Sequence, residues 1–371
     1  MSQHVVLILG GYGAFGSRIA RNLAQHPELS LIIGGRVQAA AKAFAGTIES
    51  GRSRALALDV SNPDGIAAVI AALPTVVVDA AGPFQTRDYE LPRRCALNGI
   101  HYVDIADARA RVSGIVELDA VAREHNVAVI SGASTVPAIT TAIVDDLVPD
   151  SNRVQEIDVG ISPGHRAPRG LATVRSIFSY CGKRIPAVCD GTEFGWGSLT
   201  RHRYPLPVGP RWLSHVDTPE RALWRARYPS LRKAAIRAGF EIGLLHLVLS
   251  AASRAVRMGV LPSLEPCAPL AIRVANAFDS FGSDTGAMHV RVVAHNDAGE
   301  TVVRTGILVA EKGDGPQVPA TPAALIVKKL LKLPGYTPLM DRGARPCIGL
   351  LSRAEIFEEL RPIAIRYFTD A

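Results

Sequence analysis

The sequence predicts an α/β protein: a doubly wound parallel sheet, then a second α+β domain, and a C-terminal helical segment that packs back on the first. Three observations carry this expectation. Apolar strand-like runs alternate with helical periodicity from residue 5 to about 147 without a break. The first run enters a glycine pattern, Gly11-x-Gly13-x-x-Gly16, and a helix follows at once. Near residue 150 the rhythm changes to mixed strands and helices, which sets the expected domains at 1–150, 151–313 and 314–371.

The opening element is Val5-Val6-Leu7-Ile8-Leu9, five apolar residues in a row, the mark of a strand buried on both faces. The loop Gly11-Tyr12-Gly13-Ala14-Phe15-Gly16 follows. Gly11 suits a tight turn, Gly13 lets the backbone approach a pyrophosphate, and Gly16 lets the next helix pack closely on the strand. The start of that helix offers unpaired N–H groups and a positive dipole end to phosphate. A Rossmann-type dinucleotide site is therefore expected here. A second apolar strand, residues 29–33, leads into Gly34-Gly35-Arg36 with no carboxylate at its end. NAD sites place an acidic residue there and NADP sites an arginine, so Arg36 points to NADP over NAD.

The remaining elements follow in order. A short alanine-rich helix, 37–45, precedes a strand at 53–58. Asp59 stands at its end, placed either to reach an adenine amino group or to cap the next helix with Ser61 or Asn62. A helix runs to residue 73 and a strand over 75–79, ending in Ala80-Ala81-Gly82-Pro83-Phe84. Ligands of open parallel sheets lie beyond the carboxyl ends of the strands, so Ala81, Gly82, Pro83 and Phe84 are expected along the cofactor. Helix 88–98, strand 101–105, helix 111–125, strand 127–130 and a helix to about 147 complete the first domain. The second holds a strand at 154–160, a helix at 171–180 and a Pro/Gly/Trp-rich stretch at 185–220. Residues 220–258 look helical, and a hairpin pairs 287–295 with 301–310 around Asn296-Asp297-Ala298-Gly299. Helices are expected at 322–332 and 352–360.

Composition narrows the function. Five scattered cysteines form no CxxC or metal-ligand spacing, so no metal site and a reducing cytoplasm are expected. With a strand starting at residue 5, no signal peptide is expected, and no apolar run reaches the ~18 residues of a membrane span. Net charge is +7, concentrated in residues 201–260, where eleven Arg and Lys face Asp217, Glu220 and Glu241. No nucleic-acid module accompanies it. That basic stretch suits an anionic substrate or a membrane surface, and the expectation is a packed segment rather than a membrane anchor.

Gly10-Gly11-Tyr12-Gly13-Ala14-Phe15-Gly16, Gly35-Arg36, Ala81-Gly82-Pro83-Phe84, Gly99-Ile100-His101-Tyr102-Val103-Asp104 and Ser131-Gly132-Ala133-Ser134-Thr135-Val136-Pro137 resemble the saccharopine dehydrogenase-like family in order and spacing. Arg169-Gly170-Leu171-Ala172-Thr173-Val174, Ser283-Asp284-Thr285-Gly286, Gly313-Asp314-Gly315-Pro316 and Gly343-Ala344-Arg345-Pro346-Cys347 resemble a bacterial branch of it. The resemblance implies an NADP-binding Rossmann domain, an α+β domain whose sheet often mediates dimerisation, and a C-terminal segment returning to the first domain. Members reduce imines formed from an amine and an α-keto acid, or act on polyamine precursors or lipid enoyl groups.

Hydride transfer is the cofactor's chemistry, and the protein must move a proton. Tyr102 and Asp104 lie at the end of the fifth strand: Tyr102 as a proton donor, Asp104 to position an amine or water or to cap the next loop. His165, in Ser162-Pro163-Gly164-His165-Arg166, is the third candidate. No Tyr-x-x-x-Lys exists, Tyr180 being followed by Arg184, which argues against short-chain dehydrogenase chemistry. The expected function is an NADP-dependent oxidoreductase acting on a small metabolite at a C=N, C=O or C=C bond, as a cytoplasmic homodimer. The alternative is a non-catalytic NADP sensor or membrane-associated scaffold.

Overall fold

The computed structural model describes residues 4–48 and 51–370. The chain divides into two units: residues up to Ile139 with Gln317–Leu351, and Thr140–Pro316 with the residues from Ser352 onward. The first unit opens with β1 (His4–Leu9), α1 (Gly16–Leu23), β2 (Leu29–Gly35), α2 (Gln38–Ala45), β3 (Ser53–Ala57) and α3 (Pro63–Ala71). β4 (Val76–Asp79), α4 (Glu90–Leu97), β5 (His101–Asp104), α5 (Arg109–Gly114), α6 (Asp119–Glu124) and β6 (Ala128–Ser131) follow. The second unit contains α7 (Thr140–Leu147), β7 (Val154–Ser162), α8 (Leu171–Tyr180), β8 (Arg184–Pro186), β9 (Thr192–Phe194), β10 (Thr200–Arg203) and β11 (Pro210–His215). It continues through α9 (Glu220–Arg227), β12 (Lys233–Ala238), α10 (Gly243–Arg257), α11 (Ala268–Ala277), β13 (Gly286–His295) and β14 (Thr301–Ala310). The chain then returns to the first unit for α12 (Gln317–Leu330) and β15 (Gly343–Pro346), and ends in the second with α13 (Arg353–Leu360) and β16 (Ile365–Asp370).

The sheet of the first unit is parallel throughout, in the order β15-β6-β5-β4-β1-β2-β3. Val6, Leu7, Ile8, Ile33, Val77, Val78 and Val129 are fully buried, as strands covered on both faces require. Each such side chain contributes about 1.5–3 kcal/mol of burial. Helix α3 begins where the sequence provides for it: Asn62 Oδ1 accepts the Gly65 N–H, and Pro63 fills the first turn. Strand order reverses at β1, which lies between β2 and β4, and the crevice at such a reversal is where α/β sheets bind ligands.

The second unit is built on a mixed sheet, β10-β11-β12-β7-β13-β14-β16, in which β12 and β7 are parallel and the other pairs antiparallel. The expected hairpin is β13–β14, in continuous register from Gly286–Ala310 to His295–Thr301. Two expectations differ from the structure. The stretch 220–258 is not one basic helix but α9, β12 and α10, because Lys233–Ala238 is drawn into the sheet beside β7. Four of its arginines are paired: Arg221 with Glu193 at 2.7 Å, Arg225 with Asp190 at 3.0 Å, Arg227 with Asp145, and Arg237 with Asp158; Arg254 and Arg257, at the end of α10, are exposed. The C-terminal residues 314–371 likewise do not stay together. β15 extends the parallel sheet beside β6, whereas β16 pairs with β14, and Arg353 on α13 bonds Asp146 at 2.7 Å.

Candidate cofactor site

The glycine loop lies at the reversal. Gly10 takes a positive φ of 68°, and a Cβ there would fall 2.9 Å from the Ala80 carbonyl oxygen, so the loops after β1 and β4 lie backbone against backbone. The turn is made by Gly10, a residue outside the Gly11-x-Gly13-x-x-Gly16 pattern. Gly11 is instead the packing glycine, its missing Cβ 3.0 Å from Ile33 Cγ2 of β2. The Gly13 N–H closes on the Gly10 carbonyl at 2.8 Å, and Gly13 is exposed. Gly16 begins α1, with room for no side chain: a Cβ would lie 2.9 Å from the Gly10 carbonyl carbon. Ala14 and Phe15 are half-buried between them. This side-chain-free loop, opening onto a helix start, fits a pyrophosphate.

Tyr12 has a contact the sequence did not reveal. Its ring lies over Gly35, where a Cβ would be 2.8 Å from Tyr12 Cζ, and its hydroxyl accepts the Val37 N–H at 3.1 Å. The space at the end of β2 is thus filled by tyrosine. Arg36 is exposed beside it. Asp59 Oδ1 accepts from Ser61 N at 3.0 Å and Ser61 Oγ at 2.7 Å, and these bonds, backbone first, hold its carboxyl below the usual range.

Beyond β4, Gly82 and Pro83 are exposed while Phe84 is buried beneath Arg87, whose guanidinium stands 5.7 Å from the ring centre. Arg87 also bonds Asp79 Oδ2 at 2.7 Å and donates to the Ala81 carbonyl at 3.2 Å. Asp79 Oδ1 accepts the Ala81 N–H at 3.0 Å. Ala81 is thereby held at both its amide and its carbonyl. Asp79, Arg87 and Arg111 were not singled out from sequence; two carboxylates ending adjacent strands, Asp79 and Asp104, were the available signal.

Tyr102 and Asp104 are completely buried. The Tyr102 hydroxyl donates to Asp79 Oδ2 at 3.0 Å and accepts from Arg111 Nη2 at 3.1 Å. Asp104 Oδ1 accepts from Ser131 Oγ at 2.8 Å, Gly132 N at 2.9 Å and Ala106 N at 3.1 Å, tying the end of β5 to the loop after β6. Burial pushes both pKa values up, against the pull of Arg111. His165 belongs to the second unit. Its amide donates to Glu241 Oε2 at 2.7 Å, and its Nε2 lies 2.9 Å from the Ala275 carbonyl and 3.4 Å from Asp279 Oδ1, so the ring is buried against α11 and the turn that follows. Among the described residues no cluster of His, Cys, Asp or Glu could hold a metal, and no helix is long and apolar enough to cross a membrane.

Residues 6–130 match the family model of the saccharopine dehydrogenase NADP binding domain. No curated protein matches the chain in sequence. Apo histidine-tagged saccharopine dehydrogenase (L-Glu forming) from Saccharomyces cerevisiae is similar in structure, with TM-score 0.65 and 13% identity over 99% of this chain and 100% of that one. An amine dehydrogenase from Mycobacterium smegmatis is similar at TM-score 0.49 and 10% identity, covering 94% of this chain and 95% of its own. The family match falls on the unit whose strand reversal and side-chain-free loop make a dinucleotide crevice. Residues 6–130 thus match a saccharopine dehydrogenase-type NADP-binding domain, within a chain that shares its overall fold with the yeast saccharopine dehydrogenase.

Proposed function

We propose that the chain is an NADP-dependent oxidoreductase that reduces or oxidises a small metabolite at a C=N, C=O or C=C bond. The observation that carries this is the glycine loop set backbone to backbone against the loop after β4, within residues matched to an NADP-binding family. Gly11, Tyr12, Gly13, Ala14, Phe15 and Gly16 form the pyrophosphate cradle, Arg36 the 2′-phosphate partner, and Ala81, Gly82, Pro83 and Phe84 the wall beside the nicotinamide. Asp59 shapes the edge of the adenine side through its Ser61 turn. When bound, the cofactor supplies or accepts a hydride. The buried Asp79–Tyr102–Arg111–Asp104 network keeps the ends of β4, β5 and β6 fixed beneath it; Tyr102 and Asp104 act by positioning, and His165 holds a loop of the second unit. A positive balance of +7 favours an anionic substrate, and the reading includes a cytoplasmic homodimer.

The burial of all three sequence-named acid–base candidates is the observation that favours a second reading, a non-catalytic NADP sensor. NADPH fluorescence titration tests binding, which both readings require. Oxidation of NADPH, or reduction of NADP, across a panel of imines, carbonyls and activated alkenes separates them. No turnover on any member of the panel by a protein that binds NADPH would leave the sensor.

A further inference from the structure

Helix α10 buries a largely polar stripe: His246, Ser250 and Ser253 are buried with Leu249, while Leu244 and Val248 stand 60% and 58% exposed, with Leu247 beside them. A surface helix ordinarily does the reverse. The inversion is built into the unit: His246 Nε2 lies 3.0 Å from Ser214 Oγ, and its ring packs 5.0 Å from that of Trp196. Met258, Val260 and Leu261 just after the helix, Leu270 and Val274 on α11, and Phe281 are exposed as well. Half of the large apolar side chains exposed among the described residues fall between residues 244 and 281, about a tenth of the chain. Exposed leucines scattered singly need no explanation; nine large apolar side chains exposed between residues 244 and 281 do.

Charge says what covers it. From residue 242 to 264 there is no carboxylate, and Arg254 and Arg257 stand exposed at the end of α10, with Arg273 exposed on α11. A second copy of this chain docked by the same face would bring these arginines against their own counterparts; the carboxylates of residues 242–281 are Glu265, exposed, and Asp279, already bonded to Arg169 at 2.8 Å. An anionic bilayer answers both features at once: acyl chains for the leucines and valines, phosphates for the arginines, whose stems can lie along the apolar surface. We propose that α10, the turn at 258–261 and α11 form a docking surface for an anionic lipid bilayer, lying in its interface. Fifteen residues of α10 are too short to span the hydrocarbon core.

Flotation of the full chain with vesicles tests this. On vesicles of equal parts phosphatidylglycerol and phosphatidylcholine, binding should exceed that on phosphatidylcholine alone by roughly tenfold or more, and the excess should fall in high salt. The double variant Leu247→Asp/Val248→Asp should lose flotation on both. Arg254→Glu/Arg273→Glu should lose only the anionic excess. Leu97→Asp, an exposed leucine on α4, should float as the parent does. Circular dichroism checks the fold of each variant, and Leu244→Ser replaces the double variant if that one does not fold. Parent protein that stays at the bottom of the gradient with anionic vesicles overturns the proposal, as does a folded double variant that floats unchanged. So does a dimer, seen by light scattering, that the double variant converts to monomer while the parent does not float; the face would then be one of self-association.

Discussion

Cofactor preference is the sharpest consequence of the contact between Tyr12 and Gly35. A side chain at residue 35 would have to displace the tyrosine ring, since its Cβ would stand 2.8 Å from Cζ, well inside contact distance. With the ring in place, the end of β2 carries no acidic partner for an NAD ribose, and Arg36 remains to meet a 2′-phosphate. Arg36→Ala removes one charge-assisted pair, about 1.5–3 kcal/mol, so NADPH should bind roughly 10- to 150-fold more weakly with NADH nearly unchanged. Tyr12→Phe keeps the ring over Gly35 and removes only the bond from Val37 N–H, a loss of about 0.5–1.5 kcal/mol that should reach NADPH through the position of Arg36. Gly35→Asp should displace the ring and weaken NADPH more than Tyr12→Phe does. Fluorescence titrations of both cofactors against each purified variant measure these ratios. Equal affinity of the parent for NADPH and NADH, or an Arg36→Ala variant that loses both equally, would refute the reasoning.

Three further outcomes are expected. Gly13→Val should abolish NADPH binding while leaving the melting temperature near the parent's, because Gly13 is exposed; Gly16→Ala, pressed against the Gly10 carbonyl, should instead destabilise by about 1–3 kcal/mol in urea unfolding. Arg87→Ala removes the charged partner of a fully buried Asp79, leaving it the Tyr102 hydroxyl and the Ala81 N–H, and should cost about 3–5 kcal/mol; if stability is unchanged by the same measurement, the ion pair does not hold the loop. Burial lowers the pKa of His246 from 6.5 to about 4, and those of His101 and His202 likewise. The unfolded chain then binds more protons between those values, so stability is full above pH 6.5, falls as pH drops toward 4, and levels off below. For fully buried His246 alone the loss from pH 7 to pH 5 is about 2 kcal/mol, which urea unfolding of the parent and of His246→Gln at the two pH values should resolve.

Legibility followed the range of the interactions. Strands β1, β4 and β6 were readable because a strand buried on both faces is apolar nearly throughout, and Val76, Val77 and Val78 announce one without any partner in view. Strand β12, Lys-Ala-Ala-Ile-Arg-Ala, was not: alanine and arginine favour helix locally, and its pairing with β7, more than seventy residues earlier, overrides that preference. β15 is four residues containing glycine and proline, and only its place beside β6 makes it a strand. Within the site, the spacing of Gly11, Gly13 and Gly16 located the loop, but the positive φ fell on Gly10, and no spacing rule reports a tyrosine ring lying on Gly35. Asp104 and Tyr102 carried the right chemistry at the right strand end. Their burial depends on Arg111 and Ser131, which approach from elsewhere in the chain.

The chain passes between its two units three times, after residues 139, 316 and 351. A ribosome therefore delivers the nucleotide-binding sheet in instalments. When β6 emerges, its outer edge has no neighbour until β15 is made more than two hundred residues later, and every strand of the mixed sheet except β16 is synthesised in between. For that interval Ala128–Ser131 is an apolar strand with an unpaired edge, the kind of surface that recruits other nascent chains. Yield in the cell should accordingly respond to chaperone supply and to slow translation ahead of residue 343. Cutting the gene at residue 150 to obtain a separate nucleotide-binding domain should give insoluble protein, whereas joining residues up to 139 directly to 317–351 supplies the missing edge.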